Sequence, residues 1–70
     1  MDKEDFKTAF ENVKTEFKGV RLPNNAVFII NNYSFFVDEN VQMVSFGLDD
    51  KGIGYCNLAD VKGIVEVYYK

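Results

Sequence analysis

Histidine is absent from this 70-residue chain, cysteine occurs once, at Cys56, and Pro23 is the only proline. Without histidine there is no side chain whose unperturbed pKa lies near neutrality, so Ser-His and Cys-His nucleophilic machinery is excluded. A zinc site of Cys and His is excluded with it. One thiol forms no internal disulfide, so stability must come from the apolar core, and a lone thiol points to a reducing compartment. No run reaches the ~18 apolar residues of a membrane span, and Met1-Asp2-Lys3-Glu4-Asp5 does not have the form of a secretory leader. The expected compartment is the cytoplasm, with no membrane partner. An excess of positive charge is also lacking: eight Lys and Arg stand against eleven Asp and Glu, a net charge of −3. Non-specific phosphate binding needs clustered cations, so no direct nucleic-acid contact is expected.

What the chain has in quantity is aromatic surface: seven Phe and four Tyr. Each buries ~150–250 Å², which a domain this small needs. The whole of 1–70 reads as one small domain of α+β class. Phe6, Phe10, Val13 and Phe17 recur at helical spacing and predict an N-terminal amphipathic helix over 2–18. Asp2 is placed to cap it, Glu4 and Asp5 suit its first turn, and Gly19 is placed to stop it. Lys14 and Lys18 complement its C-terminal dipole. Beyond the connector at 21–25, strand-like runs fall at about 26–30, 33–37, 41–48, 53–58 and 64–69. Asn31-Asn32, Asp38-Glu39-Asn40 and Asp49-Asp50-Lys51-Gly52 read as the tight turns between them. The expected architecture is the helix packed on a curled antiparallel meander of about five short strands, curling toward a barrel. Alternation is imperfect: Phe35 and Phe36 place an aromatic on each face of one strand. One helix cannot cover such a sheet, so a residual exposed aromatic patch is expected.

Candidate chemistry is thin. Cys56 has no base or clustered cation beside it in sequence to lower its pKa, and reads as a small core residue. Asp38-Glu39 and Asp49-Asp50 diverge as turn neighbours and lack the spacing of a calcium loop. Gly52-x-Gly54 opens a strand, whereas phosphate cradles open a helix. No catalytic, cofactor or metal residue is assigned, and the chain is not read as an enzyme. The residues that can carry a function are aromatics beside turn acids: Tyr33, Phe36, Tyr55 and Tyr69 with Asp38, Glu39, Asp49, Asp50 and Asp60. Aromatics anchor protein interfaces and carboxylates steer basic partners.

The expected function is that of a small acidic binding module, a stoichiometric inhibitor of a larger basic or nucleic-acid-binding protein. In general character such a chain is similar to small phage-encoded inhibitors such as anti-CRISPR proteins, with carboxylates standing in for phosphates. The order of one helix then short strands, with Tyr55–Val65 where the last two strands fall, also resembles the layout of Sm-like proteins. That resemblance implies a self-assembling, RNA-associated role as the alternative. A homodimer is compatible with either reading, since an open meander has unpaired edges.

Overall fold

The computed structural model describes residues 1–48 and 51–68. Helix α1 spans Lys3–Asn12, and the carboxylate of Asp2 caps it by accepting from the Asp5 amide at 2.8 Å. It ends six residues before the expected Lys18. Val13 is already extended (φ −83°, ψ 119°), and β-branched Val13 and Thr15 restrict their rotamers in a helix. Local bonds stitch the exit instead: Thr15 Oγ1 donates to the Phe17 carbonyl at 2.8 Å, and Lys18 Nζ to that of Thr15 at 2.7 Å.

Six strands follow: β1 (Lys18–Arg21), β2 (Val27–Ile30), β3 (Asn32–Asp38), β4 (Val41–Leu48), β5 (Lys51–Asn57) and β6 (Gly63–Glu66). They form two antiparallel three-stranded sheets, ordered β2-β1-β6 and β3-β4-β5. The α+β class therefore holds, but two sheets replace the single five-stranded meander, and no barrel is closed. Two features account for the difference. Residues 18–21, expected as helix end and connector, form β1, which gains a ladder on both sides from β2 and β6. Tertiary pairing outweighs local helical preference there.

The second feature is Asn31. A two-residue hairpin turn needs positive φ, yet the described non-glycine residues with positive φ are Asn24, Asn25, Glu39 and Asn40. At Asn31 the chain does not reverse. It runs from β2 in one sheet straight into β3 in the other, and the Asn31 amide donates to the Gly47 carbonyl at 2.9 Å. A two-residue hairpin turn forms instead at Glu39-Asn40 (φ 50° and 69°), closed by the Asp38–Val41 pair.

The two sheets turn their inner faces toward one core. Val20 and Ile30 from the first sheet, Val44 and Phe46 from the second, and Leu58 and Val61 around a 3₁₀ turn (Leu58–Asp60) are buried together with Phe6 of α1. Phe28 and Phe46 join the sheets with ring centroids 4.8 Å apart. Phe6 sits edge-on to Tyr33 at 4.8 Å and Phe35 at 5.6 Å, so the helix plugs the open side. Two glycines are set by close approach and not by turn geometry. Gly19, expected as a helix stop, lies mid-strand without positive φ; a Cβ there would come within 2.7 Å of Val27 Cγ1. Gly47 sits at a β-bulge opposite β5, where a Cβ would overlap the Lys51 carbonyl.

These contacts predict a graded series in urea unfolding. Gly47→Ala should lose ~2–4 kcal/mol, because backbone and not a side-chain tip must move. Gly63→Ala, with nothing within 4 Å of the added methyl, should stay within ~0.5 kcal/mol of the parent. Equal midpoints for the two variants would contradict the bulge geometry.

Candidate functional site

Strand pairing builds one exposed face from three strands. In β3-β4-β5, Phe36 pairs with Met43 and Met43 with Asn57; Ser34 pairs with Ser45 and Ser45 with Tyr55; Asp38 pairs with Val41. Cross-strand partners share a face, and this set points away from the core occupied by Val44 and Phe46. Phe36 and Tyr55 meet across β4 with centroids 6.3 Å apart and an interplanar angle of 68°. Tyr55 is 70% exposed, Ile53 56%, Val41 38% and Phe36 37%. Among the described residues no element covers these side chains. The result is an apolar surface centred on an edge-to-face aromatic pair, with Ser34, Ser45 and Asn57 among it.

Acidic groups border one end of this face. Asp38 and Glu39 belong to the hairpin that closes β3 and β4, and both are exposed. The register Met43–Asn57 brings the end of β5 beside the same end of β4. There Asn57 caps the following 3₁₀ turn, its side chain accepting from the Ala59 amide at 2.9 Å, and the turn ends on exposed Asp60. The carboxylates therefore stand beside the aromatic face without facing one another across a cleft. Among the described residues no three Cys, Asp or Glu side chains gather as a metal site.

Of the residues singled out from sequence, the structure brings together Phe36, Tyr55, Asp38, Glu39 and Asp60. Tyr33 is elsewhere: its ring lies on the inner side, 4.7 Å from Phe10 and 5.2 Å from Phe35. Burial first, and the Glu11 carboxylate second, push its hydroxyl pKa up. Asp49, Asp50 and Tyr69 lie outside the described residues. Val41 and Met43 were not singled out, although they pair with Asp38 and Phe36 on this face, and alternation along β4 would have found them. Ile53 is the extra residue of the bulge in β5, where alternation from Tyr55 breaks.

Three other features offer less. A groove of about 680 Å³ runs between Met1–Glu4 and Asn57–Ala59. Its lining sets Met1, Leu58 and Ala59 among charged and polar side chains, and the Met1 amino group closes one side by donating to the Leu58 carbonyl at 3.2 Å. The outer face of β2-β1-β6 carries Val27, Val65 and Val67 folded over Gly19, which is buried beneath them. Cys56 pairs with Val44 on the inner face and is half-buried. Burial, and then the Asp60 carboxylate, raise its thiol pKa. Both effects disfavour the thiolate, which is the reactive form.

Alkylation of Cys56 should accordingly be slower than that of an unfolded control peptide, with a rate–pH midpoint above the ordinary thiol value. A midpoint below that value would mean that an activating cation had been overlooked. No helix among the described residues is long and apolar enough to cross a membrane. No known protein family, curated protein or solved structure matches the chain.

Proposed function

We propose that this chain is a non-enzymatic, acidic protein-binding module that docks a larger basic protein on the outer face of β3-β4-β5. The observation that carries the reading is the Phe36–Tyr55 pair: two aromatics held edge-to-face at 6.3 Å on a surface that none of the described residues covers. An aromatic pair held in place loses little side-chain entropy on binding, and Tyr is among the residues that dominate interface energetics. Asp38, Glu39 and Asp60 at the border supply the long-range attraction for a basic surface, which speeds encounter more than it tightens the complex. In its sharper form the module is a stoichiometric inhibitor of a nucleic-acid-binding protein. Its carboxylates then take positions that phosphates would occupy, in the manner of phage-encoded anti-defence inhibitors such as anti-CRISPR proteins, by analogy only. The alternative, a self-assembling Sm-like RNA-associated protein, draws support from the open edges of both sheets.

Capture by the tagged chain from nuclease-treated lysate of its source organism distinguishes these readings. A single basic protein in stoichiometric amount is expected. Phe36→Ala/Tyr55→Ala should weaken its binding by at least ~30-fold, the effect of losing one interface anchor worth ~2 kcal/mol. Asp38→Asn/Glu39→Gln/Asp60→Asn should instead slow association and flatten its salt dependence. Retention of the partner by all five substitutions together would refute the surface. Recovery of only the chain itself with RNA, when nuclease is omitted, would favour the alternative.

A further inference from the structure

The outer face of β3-β4-β5 changes character along its strands. Register places one charged side chain on it: Asp38, two residues from Phe36 on β3 and paired with Val41. Toward the other end the face is neutral, with Ser34 paired to Ser45 and Ser45 to Tyr55. Residues two apart leave the same side of a strand, so Phe36 and Asp38 project together from points roughly 7 Å apart. Both are exposed, and no described residue gives the Asp38 carboxylate a hydrogen bond or an ion pair. Two cations do lie over rings in this chain, Lys18 over Phe10 at 4.7 Å and Lys3 over Phe35 at 5.6 Å. Both rings belong to the cluster on the inner side with Phe6 and Tyr33, which leaves the outer ring and its carboxylate without one.

We infer that this end of the face receives an arginine side chain of the basic partner, its guanidinium over the Phe36 ring and forked onto the Asp38 carboxylate. The inference rests on the proposed docking role and names the chemistry of its anchor. Whatever covers Phe36 also strips water from Asp38, and a desolvated carboxylate left without a donor costs more than one aromatic contact returns. An aliphatic or aromatic anchor is therefore disfavoured at Phe36. Lysine brings the charge, but as a compact and strongly hydrated point. Arginine is planar and more weakly hydrated, stacks on aromatic faces, and offers two parallel donors to one carboxylate. A cation is held by a ring within ~6 Å of its centroid, so one guanidinium reaches both groups. Glu39 in the turn and Asp60 beyond β5 attract at range, whereas Asp38 both attracts and touches. The polarity of the face also orients the partner: the arginine points to the Glu39-Asn40 hairpin, and the segment that carries it crosses toward Tyr55 and the serines.

The probes are three blocked tripeptides, Gly-Arg-Gly, Gly-Lys-Gly and Gly-Leu-Gly, titrated at constant ionic strength into the isotopically labelled full chain and followed by amide correlation spectra. The arginine peptide should shift the amides of Phe36, Asp38, Val41 and Met43 with a Kd in the millimolar range, which suits one side chain in one shallow site. The lysine peptide should bind at least ~5-fold more weakly, and the leucine peptide should give no saturating shifts there. Asp38→Asn, which keeps shape and removes charge, should bring arginine down to the level of lysine, while Glu39→Gln should leave it within about 2-fold. Equal affinity for arginine and lysine, a stronger response to leucine, or an Asp38→Asn chain that still prefers arginine would each overturn the inference. So would saturating arginine shifts centred on another surface. If the captured partner is lost from Phe36→Ala/Tyr55→Ala while arginine and lysine peptides bind alike, the docking face stands and the arginine anchor falls. If all five substitutions retain the partner, the docking role itself fails, and the inference fails with it.

Discussion

The fold depends on the passage of the chain through Asn31 without reversing. One residue separates β2 from β3, so the two strands belong to different sheets while remaining one continuous run. Tied to the start of the second sheet through its amide bond to Gly47, this bend aims the inner faces of both sheets at a common centre. An unbent continuation would leave two half-buried sheets with no shared core. A hairpin at the same point would pair 26–30 with 33–37 and merge the two sheets into one. The bend thus decides which apolar residues meet. Phe28 reaches Phe46 across the gap, Ile30 joins Val44, and a helix of only ten residues suffices to close the side with Phe6.

That economy has a consequence for the surface. Two small sheets around one core expose two outer faces, and the chain has a single helix, already committed to the inner side. On β2-β1-β6 small aliphatic residues fold over Gly19, with Val27 left half exposed. On β3-β4-β5 the larger Phe36, Ile53 and Tyr55 are exposed. Leaving large apolar groups exposed raises the risk of aggregation, and polar substitutions at these positions would not disturb the core. Exposed aromatics on this face are what the proposed docking role requires. The acidic hairpin and the Asp60 turn lie at one end of the same sheet, so in that proposal attraction and anchoring come from adjacent parts of one surface.

Local signals were legible in the sequence and the long-range ones were not. The Asp2 cap, the Phe6–Phe10 half of the apolar stripe, the Glu39-Asn40 turn and strand 41–48 follow from residue chemistry within a few positions, and the structure has each. The end of the helix and the existence of β1 depend on β2 and β6, remote in sequence, which reward residues 18–21 for extending. Asn31-Asn32 carries turn chemistry, but φ at a turn is chosen by what the flanking strands pair with, and here each pairs elsewhere. Gly19 illustrates the same limit: a glycine near a helix end suits a stop, whereas its use is to let three valines close over the strand. For the site, Phe36 was found because Phe35-Phe36 breaks alternation, and Tyr55 because a strand tyrosine near turn acids suits an interface. Tyr33 is distinguished from them only by register, since a shift of one residue exchanges the two faces.

The most direct test of the account is whether the outer aromatics serve the fold at all. Thermal unfolding of Phe36→Ser/Tyr55→Ser, followed by circular dichroism at dilute concentration, answers it. An uncovered surface predicts a midpoint within a few degrees of the parent chain, whereas Phe6→Ala, which empties the core, should cost ~3–5 kcal/mol and abolish most of the transition. A loss from the double serine variant as large as that from Phe6→Ala would contradict the account. It would mean that Phe36 and Tyr55 hold the sheet together and are not kept for a partner.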